Sequence, residues 1–247
     1  MLEALRRQGF DIAFQAHAEA ILAGDFPVAA AELESVLSTT VLPVDELIAG
    51  GGGEARITQR IRRALTALGW RKTRFTVVKS VNDRVLQSQS HEVDHVRRFG
   101  DGAADQSIAL EIEWNNKDPF FDRDLENFKR LHGDGAISLG VIVTRGASLQ
   151  AAMPSLIQRR LQERGVADFV DLGAWTYRPK ERQRIAIATR AKHAGFVPAF
   201  ADLFVADKFG EATTHWGKLE DRLNRGVGNP CPLLLLGLPA AIVTFDP

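Results

Sequence analysis

Residues 107–117 read SIALEIEWNNK, and no other stretch constrains the fold as tightly. Ile108, Leu110, Ile112 and Trp114 alternate with Ser107, Ala109, Glu111 and Glu113. A period of two marks a half-buried β-strand, in which residues two apart share a face. Glu111 and Glu113 therefore point together, away from the apolar set. The following residues, 118–132, begin with Asp118 as N-cap and Pro119 at the first helical position, and Phe121, Leu125 and Phe128 form an apolar stripe. Residues 136–144 (AISLGVIVT) are almost continuously apolar, the pattern of a buried central strand. Strand, helix, strand in that order predicts a β-α-β unit with parallel neighbours.

The flanking chain supplies further elements. A loose apolar stripe predicts a helix over 2–23 and a second over 30–38, with a loop from 39 to 48. Four glycines at 50–53 open a helix that Gly69 closes; no Gly-Lys-Ser/Thr follows, so this is not a P-loop. Glu54 falls at the azimuth of Ile57, Ile61 and Leu65, with Arg56, Arg60 and Arg63 opposite. An acid there either stabilises the helix N-terminus or is aimed at the core. Residues 75–81 and 84–87 read as strands around an Asn82-Asp83 turn. Val93 and Val96 are then buried with Asp94 between them, and Gly100, Asp101 and Gly102 mark a turn. Asp94 thus ends one strand and the two glutamates lie on the next. Beyond residue 145 a helix bends at Pro154, residues 167–175 read as a strand, and PCPLLLLGL is one more buried strand. The basic stretch 178–192 is either a solvated helix face or a DNA contact.

With 31 basic and 31 acidic residues, net charge neither announces nor excludes a nucleic-acid partner. Cys231 is the only cysteine, which rules out an internal disulfide and a cysteine-based zinc cluster. The N-terminus lacks an apolar signal core, and the longest apolar run, 233–245, contains Pro239 and is too short to span a bilayer. A cytoplasmic protein with no membrane association is expected. The expected organisation is one α/β domain over 1–247, with a mixed central sheet flanked by helices. Residues 1–49 form a helical N-terminal part, 50–150 the core, and 151–247 a part that completes it.

Asp94, then a hairpin, then Glu111-x-Glu113 is an acidic layout suited to a metal-dependent phosphodiester nuclease. Carboxylates from neighbouring strands can meet at one or two Mg²⁺ ions, which turn water into a nucleophile and stabilise the leaving oxygen. The acids could also be an ordinary solvated strand face. Four segments, HEVDH, EIEWNNKDPFFDRDLENFKRLH, VIVTRG and TTHW-K-L, together resemble the type II restriction endonucleases of the BglII and BamHI group. That resemblance covers roughly residues 50–238 and implies the PD-(D/E)xK nuclease core. It implies catalysis by Asp94, Glu111, Glu113 and Glu54, with metal binding at Asp94, Glu111, Glu54 and Ile112. Glu113 stands where BamHI-like members carry Glu and BglII-like ones Gln. The asparagines of the next loop can pair bidentately with adenine or merely cap the helix at 118–132. The resemblance places DNA contacts at Asn115, Asn116, Lys117, Arg145, Ser148, Thr213, Thr214, His215 and Lys218. It further implies a homodimer on a short palindromic double-stranded DNA site and a cognate DNA methyltransferase in the same host. Asp122, Glu126, Lys129 and Arg130, on the polar face of the 118–132 helix, are the expected dimer contact. The rivals are a structure-specific repair or recombination nuclease of the same fold, a DNA-binding relative without catalysis, and an unrelated α/β enzyme.

Overall fold

The computed structural model describes residues 1–50, 52–100 and 106–245, so Gly51 and the turn positions Asp101 and Gly102 lie outside the described residues. The chain opens with α1 (Glu3–Arg7), β1 (Asp11–Gln15), α2 (Ala18–Gly24) and α3 (Pro27–Ser38), then β2 (Leu42–Pro43) and α4 (Val44–Ile48). The helix expected over 2–23 is therefore broken by a strand, and the expected loop at 39–48 is mostly structured. Gly9, at φ +80°, ends α1. Ile12 and Phe14 then alternate with Asp11, Ala13 and Gln15, a period of two hidden inside an apparent helical stripe.

Next come α5 (Arg56–Ala67), β3 (Arg71–Val81), β4 (Arg84–Phe99), β5 (Gln106–Glu113), α6 (Pro119–Gly133) and β6 (Leu139–Arg145). The β3–β4 turn has Asn82 and Asp83 at positive φ, 49° and 63°, as a two-residue hairpin demands. Helix α7 (Ala147–Glu163) contains Pro154, and a 3-10 turn at Asp171–Trp175 replaces the strand expected over 167–175. The basic stretch becomes α8 (Glu181–Ala194), followed by α9 (Phe196–Lys208), α10 (Trp216–Asn224) and β7 (Leu233–Leu238). A last 3-10 turn, Ala240–Ile242, leads to β8 (Val243–Thr244), which pairs in parallel with β2. No helix among the described residues is long and apolar enough to cross a membrane.

Six strands form one mixed sheet in the order β1-β7-β6-β5-β4-β3. The β5, β6 and β7 strands run parallel, and β1, β4 and β3 are antiparallel to their neighbours. Alternation sorts the side chains cleanly. Ile108, Leu110, Val141, Val143, Leu234 and Leu236 enter a large cluster with α3, α5, α7 and α9. Ala109, Ile142, Leu233 and Leu235 enter a smaller cluster under α6 and α10. Both faces of β5 are therefore covered, not one as its alternation predicted. Close packing of α6 depends on Gly140, where an added Cβ would come within 2.5 Å of the Phe128 ring.

At the end of β6, Arg145 is fully buried. Its guanidinium donates from Nε to the Thr214 carbonyl at 3.1 Å and from Nη2 to Thr213 Oγ1 and the Thr214 carbonyl, each at 2.6 Å. It also lies over the Phe209 ring. Burial lowers its pKa to about 9. Arg145 is thus an internal tie between β6 and the 209–214 segment and has no surface to offer DNA, which corrects its place among the expected contacts. Arg145→Met should therefore cost about 3–5 kcal/mol, because buried carbonyls lose their donor. The exposed Arg159→Gln should stay within about 0.5 kcal/mol of the parent. Urea unfolding measures both, and an Arg145 variant as stable as the parent would contradict the tie.

Candidate active site

Glu111 and Glu113 share the Ala109 side of β5, which faces α6. They are 5% and 2% exposed, far from a solvated strand face. Opposite them, α6 buries Phe121, Asp124, Leu125, Asn127, Phe128 and Leu131. Asp124, at 0% exposure, and Asn127 thus occupy the apolar side of the helix. Residues 121, 124, 125 and 128 are a regular i, i+3, i+4, i+7 row, and this spacing was the available signal for an inward acid. Period two on β4 likewise puts His91 on the face of buried Val93, toward α6.

These groups meet. One ligand atom each from His91, Glu111 and Asp124 lies within 4.8 Å of the others. Asn127 Nδ2 donates to His91 Nε2 at 3.0 Å, and Arg130 Nη2 to Asn127 Oδ1 at 2.6 Å. Arg123 Nε donates to Asp124 Oδ1 at 2.7 Å and its Nη2 lies 3.5 Å from Glu113 Oε1. Asn116 Nδ2 donates to Glu113 Oε2 at 2.6 Å, and Thr144 Oγ1 to the Glu113 carbonyl at 2.7 Å. Burial, followed by the charges of Asp124 and Asp94, raises the Glu111 pKa to about 9. Burial raises that of Glu113 to about 8, reinforced by the neighbouring Asp124 carboxylate. Asp124 Oδ2 is buried with no hydrogen-bond donor among the described residues. Crowded carboxylates with an oxygen left over, plus an imidazole, are a donor set that fits a divalent cation.

Asp94 takes a different position. Arg71 pairs with Val96 and Thr73 with Val93, so β4 carries one extra residue there. This bulge lets Val93 and Val96, three apart, both join the smaller cluster. The Asp94 main-chain N–H points to Glu111 Oε1 at 3.4 Å, while its exposed carboxylate lies 3.5 Å from Lys72 Nζ. Asp94 lines a cleft of about 1150 Å³ together with Glu54, Ile112, Asn115 and Asn116. Glu111 and Glu113 lie on the other side of β5 from Ile112. Glu54 precedes α5, whose N-cap is Ala55, so the helical-wheel argument does not apply to it. Its carboxylate is exposed and engaged by Arg62 at 2.9 and 3.0 Å.

The loop after β5 joins residues that are far apart in sequence. Thr214 N donates to the Asn116 carbonyl at 2.9 Å and Asn116 N to Thr214 Oγ1 at 3.1 Å, while Lys117 bridges to Thr213. Asn115, Asn116, Lys117, Thr213, Thr214, His215 and Lys218 are thus neighbours, with Asn116 and Lys117 exposed. Thr214 and His215 are buried, and Lys218 reaches Glu211 at 3.2 Å. Ser148 is not in this group; its hydroxyl accepts from Ala240 N at 3.1 Å. Of the expected dimer face, Asp122 is engaged with Arg222 of α10 and Arg130 with Asn127, which leaves Glu126 and Lys129 as an exposed pair.

No curated protein matches the chain. The family model for restriction endonuclease BglII/BglIII matches residues 10–238, which include the whole six-stranded sheet, the acidic group and the 209–218 segment. The chain belongs to the BglII/BglIII family of type II restriction endonucleases, site-specific deoxyribonucleases whose substrate is DNA.

Proposed function

We propose that this enzyme cuts both strands of a short palindromic site as a Mg²⁺-dependent homodimer. In this reading Glu111, Asp124 and His91 hold the cation, Asp94 flanks it from the cleft, and Glu113 takes the proton from water. The buried acidic group carries the reading, because like charges at low dielectric need a proton or a cation between them. When bound, the cation supplies the charge that activates water and stabilises the leaving oxygen. The chain's own groups supply orientation. Asn116 fixes Glu113 through Oε2, which leaves Oε1 free of a short hydrogen bond and able to accept a proton. Asn115 and Asn116 offer amides to base edges, and Lys117, Thr213 and Lys218 flank them for phosphate contact. A palindromic site calls for two-fold symmetry, and the Glu126–Lys129 pair can meet its own copy across such an axis. A cognate methyltransferase in the host would protect its DNA from such an enzyme.

Glu111→Gln and Asp124→Asn should each lower cleavage of plasmid DNA at least about 100-fold, since losing a cation ligand removes several kcal/mol of charge stabilisation. DNA binding, read by gel shift, should persist. Asp124→Asn should also raise the melting temperature without Mg²⁺, because it relieves buried repulsion. Cleavage at the parent rate would remove Asp124 from the site.

The two glutamates titrate at raised pH in the folded chain, so their ionisation destabilises it as pH climbs from their usual 4.5 toward 8 and 9. A cation bound to the ionised groups offsets this. At fixed Mg²⁺ the rise in melting temperature should therefore grow between about pH 6 and pH 9, and the stabilisation should be about 2.7 kcal/mol where Mg²⁺ stands at a hundredfold excess over its Kd. A pH-independent rise would place the cation elsewhere.

Sedimentation on a cognate duplex should give the duplex mass plus twice the 27.2 kDa chain mass. Glu126→Lys combined with Lys129→Glu should weaken that dimer and turn double-strand cleavage toward nicking. A protein monomeric both free and on DNA would exclude the symmetric arrangement.

A further inference from the structure

The β3–β4 hairpin is longer than the sheet requires. Strand β4 pairs with β5 only from His95 to Phe99, whereas its ladder with β3 runs out to Arg84. From Thr73 to Val81 this two-stranded ribbon spans about 26 Å at ~3.3 Å per residue. Its inner face is held to the body. Phe75 and Val77 pack into the cluster under α6, and Lys79 Nζ lies 3.7 Å from Asp134. The outer face carries Arg74, Thr76 and Val78, paired across the ribbon with Glu92, Ser90 and Ser88. Every residue from 78 to 90 is exposed.

Residues 71–90 hold Arg71, Lys72, Arg74, Lys79 and Arg84 against Asp83 alone, in a chain of formal net charge +0. Lys72 and Lys79 are ion-paired, whereas Arg74 and Arg84 form no ion pair among the described residues. Arg71, Lys72 and Asp94, at the root of the ribbon, also line the cleft beside β5. The outer face is therefore continuous with the surface that the substrate approaches. We propose that this face docks on duplex DNA outside the recognised bases, with Arg74 and Arg84 on phosphates and Thr76, Ser88 and Ser90 along the backbone. Cations and hydroxyls are the groups that position proteins on phosphates, and a two-stranded ribbon fits the major groove. The ribbon's length corresponds to roughly seven or eight base pairs at ~3.4 Å each. A second protein copy fits less well, because a two-fold contact would set Arg74 and Arg84 against their own charges.

This inference rests on DNA being the substrate, and the test separates the two. Binding is measured over a salt series on mixed-sequence duplexes of about 12 and about 40 base pairs, with Ca²⁺ replacing Mg²⁺. On the long duplex, Arg74→Gln with Arg84→Gln should reduce the slope of log K against log salt by about 0.9 per lost phosphate contact, near 2 per protomer. On the short duplex the slope should not change. Arg74→Lys with Arg84→Lys, which keeps the charge, should restore the parent slope, and Arg159→Gln should match it. An unchanged slope on the long duplex overturns the proposal. So does a loss of sedimentation mass without a change of slope, which would assign the face to a second copy. Failure of the unaltered protein to bind any duplex would take the nuclease reading down with it.

Discussion

Three carboxylates buried within reach of one another are the constraint on which the rest of the architecture depends. Ionised together, Glu111, Glu113 and Asp124 would repel in a region that water does not screen, and burial with this repulsion raises the pKa of both glutamates. Such a group persists only if the elements bearing it cannot move apart. Strand β5 is fixed by β4 on one side and β6 on the other. The Thr144 hydroxyl holds the Glu113 main chain at the strand's end. Helix α6 is pressed onto β6 at Gly140 and clamped from outside by Arg222, which bonds both Asp118 and Asp122. Apolar packing thus pushes the acids together into a donor set that fits a divalent cation.

The arginines divide by the same logic. Arg145 and Arg222 are buried and act as ties, Arg145 satisfying a carbonyl of the 209–214 segment and Arg222 joining α10 to α6 through Asp118 and Asp122. Arg74 and Arg84 lie on an exposed ribbon instead. A net charge of +0 therefore conceals an uneven distribution, with acid concentrated under α6 and base concentrated along the β3–β4 hairpin. Whole-chain composition could not reveal this, because charge balance says nothing about which face each group occupies.

What the sequence made legible follows strength of pattern. The β5-α6-β6 unit, the Asn82-Asp83 turn and β7 each rest on a long periodic run or a turn with defined backbone demands. Strand β1 escaped, because five residues inside an apolar stripe reveal themselves only when paired with β7 at the far end of the chain. The burial of Arg145 escaped because a cation after a strand reads as a surface group until Phe209, Thr213 and Thr214 are brought over it. Asp124 escaped for the complementary reason: an acid in an apolar helical row reads as a break in the row. The position of Glu54 off the helix was not legible, because α5 starts two residues later than its pattern implies. For β1 and for Arg145 the deciding contact came from a distant part of the chain.

Asn116 stands at the junction of two tasks. Its side chain holds Glu113, its main chain holds Thr214, and it lies in the exposed loop that faces the cleft. If that loop reads bases, as proposed, its redesign meets a coupling: a new residue at 116 alters the partner of a buried carboxylate as well as the exposed surface. In the proposed reading one amide serves both base contact and Glu113, so loop grafts that ignore Glu113 should yield binders with new preferences and poor cutting. Productive redesign has to treat 113 and 116 as a pair.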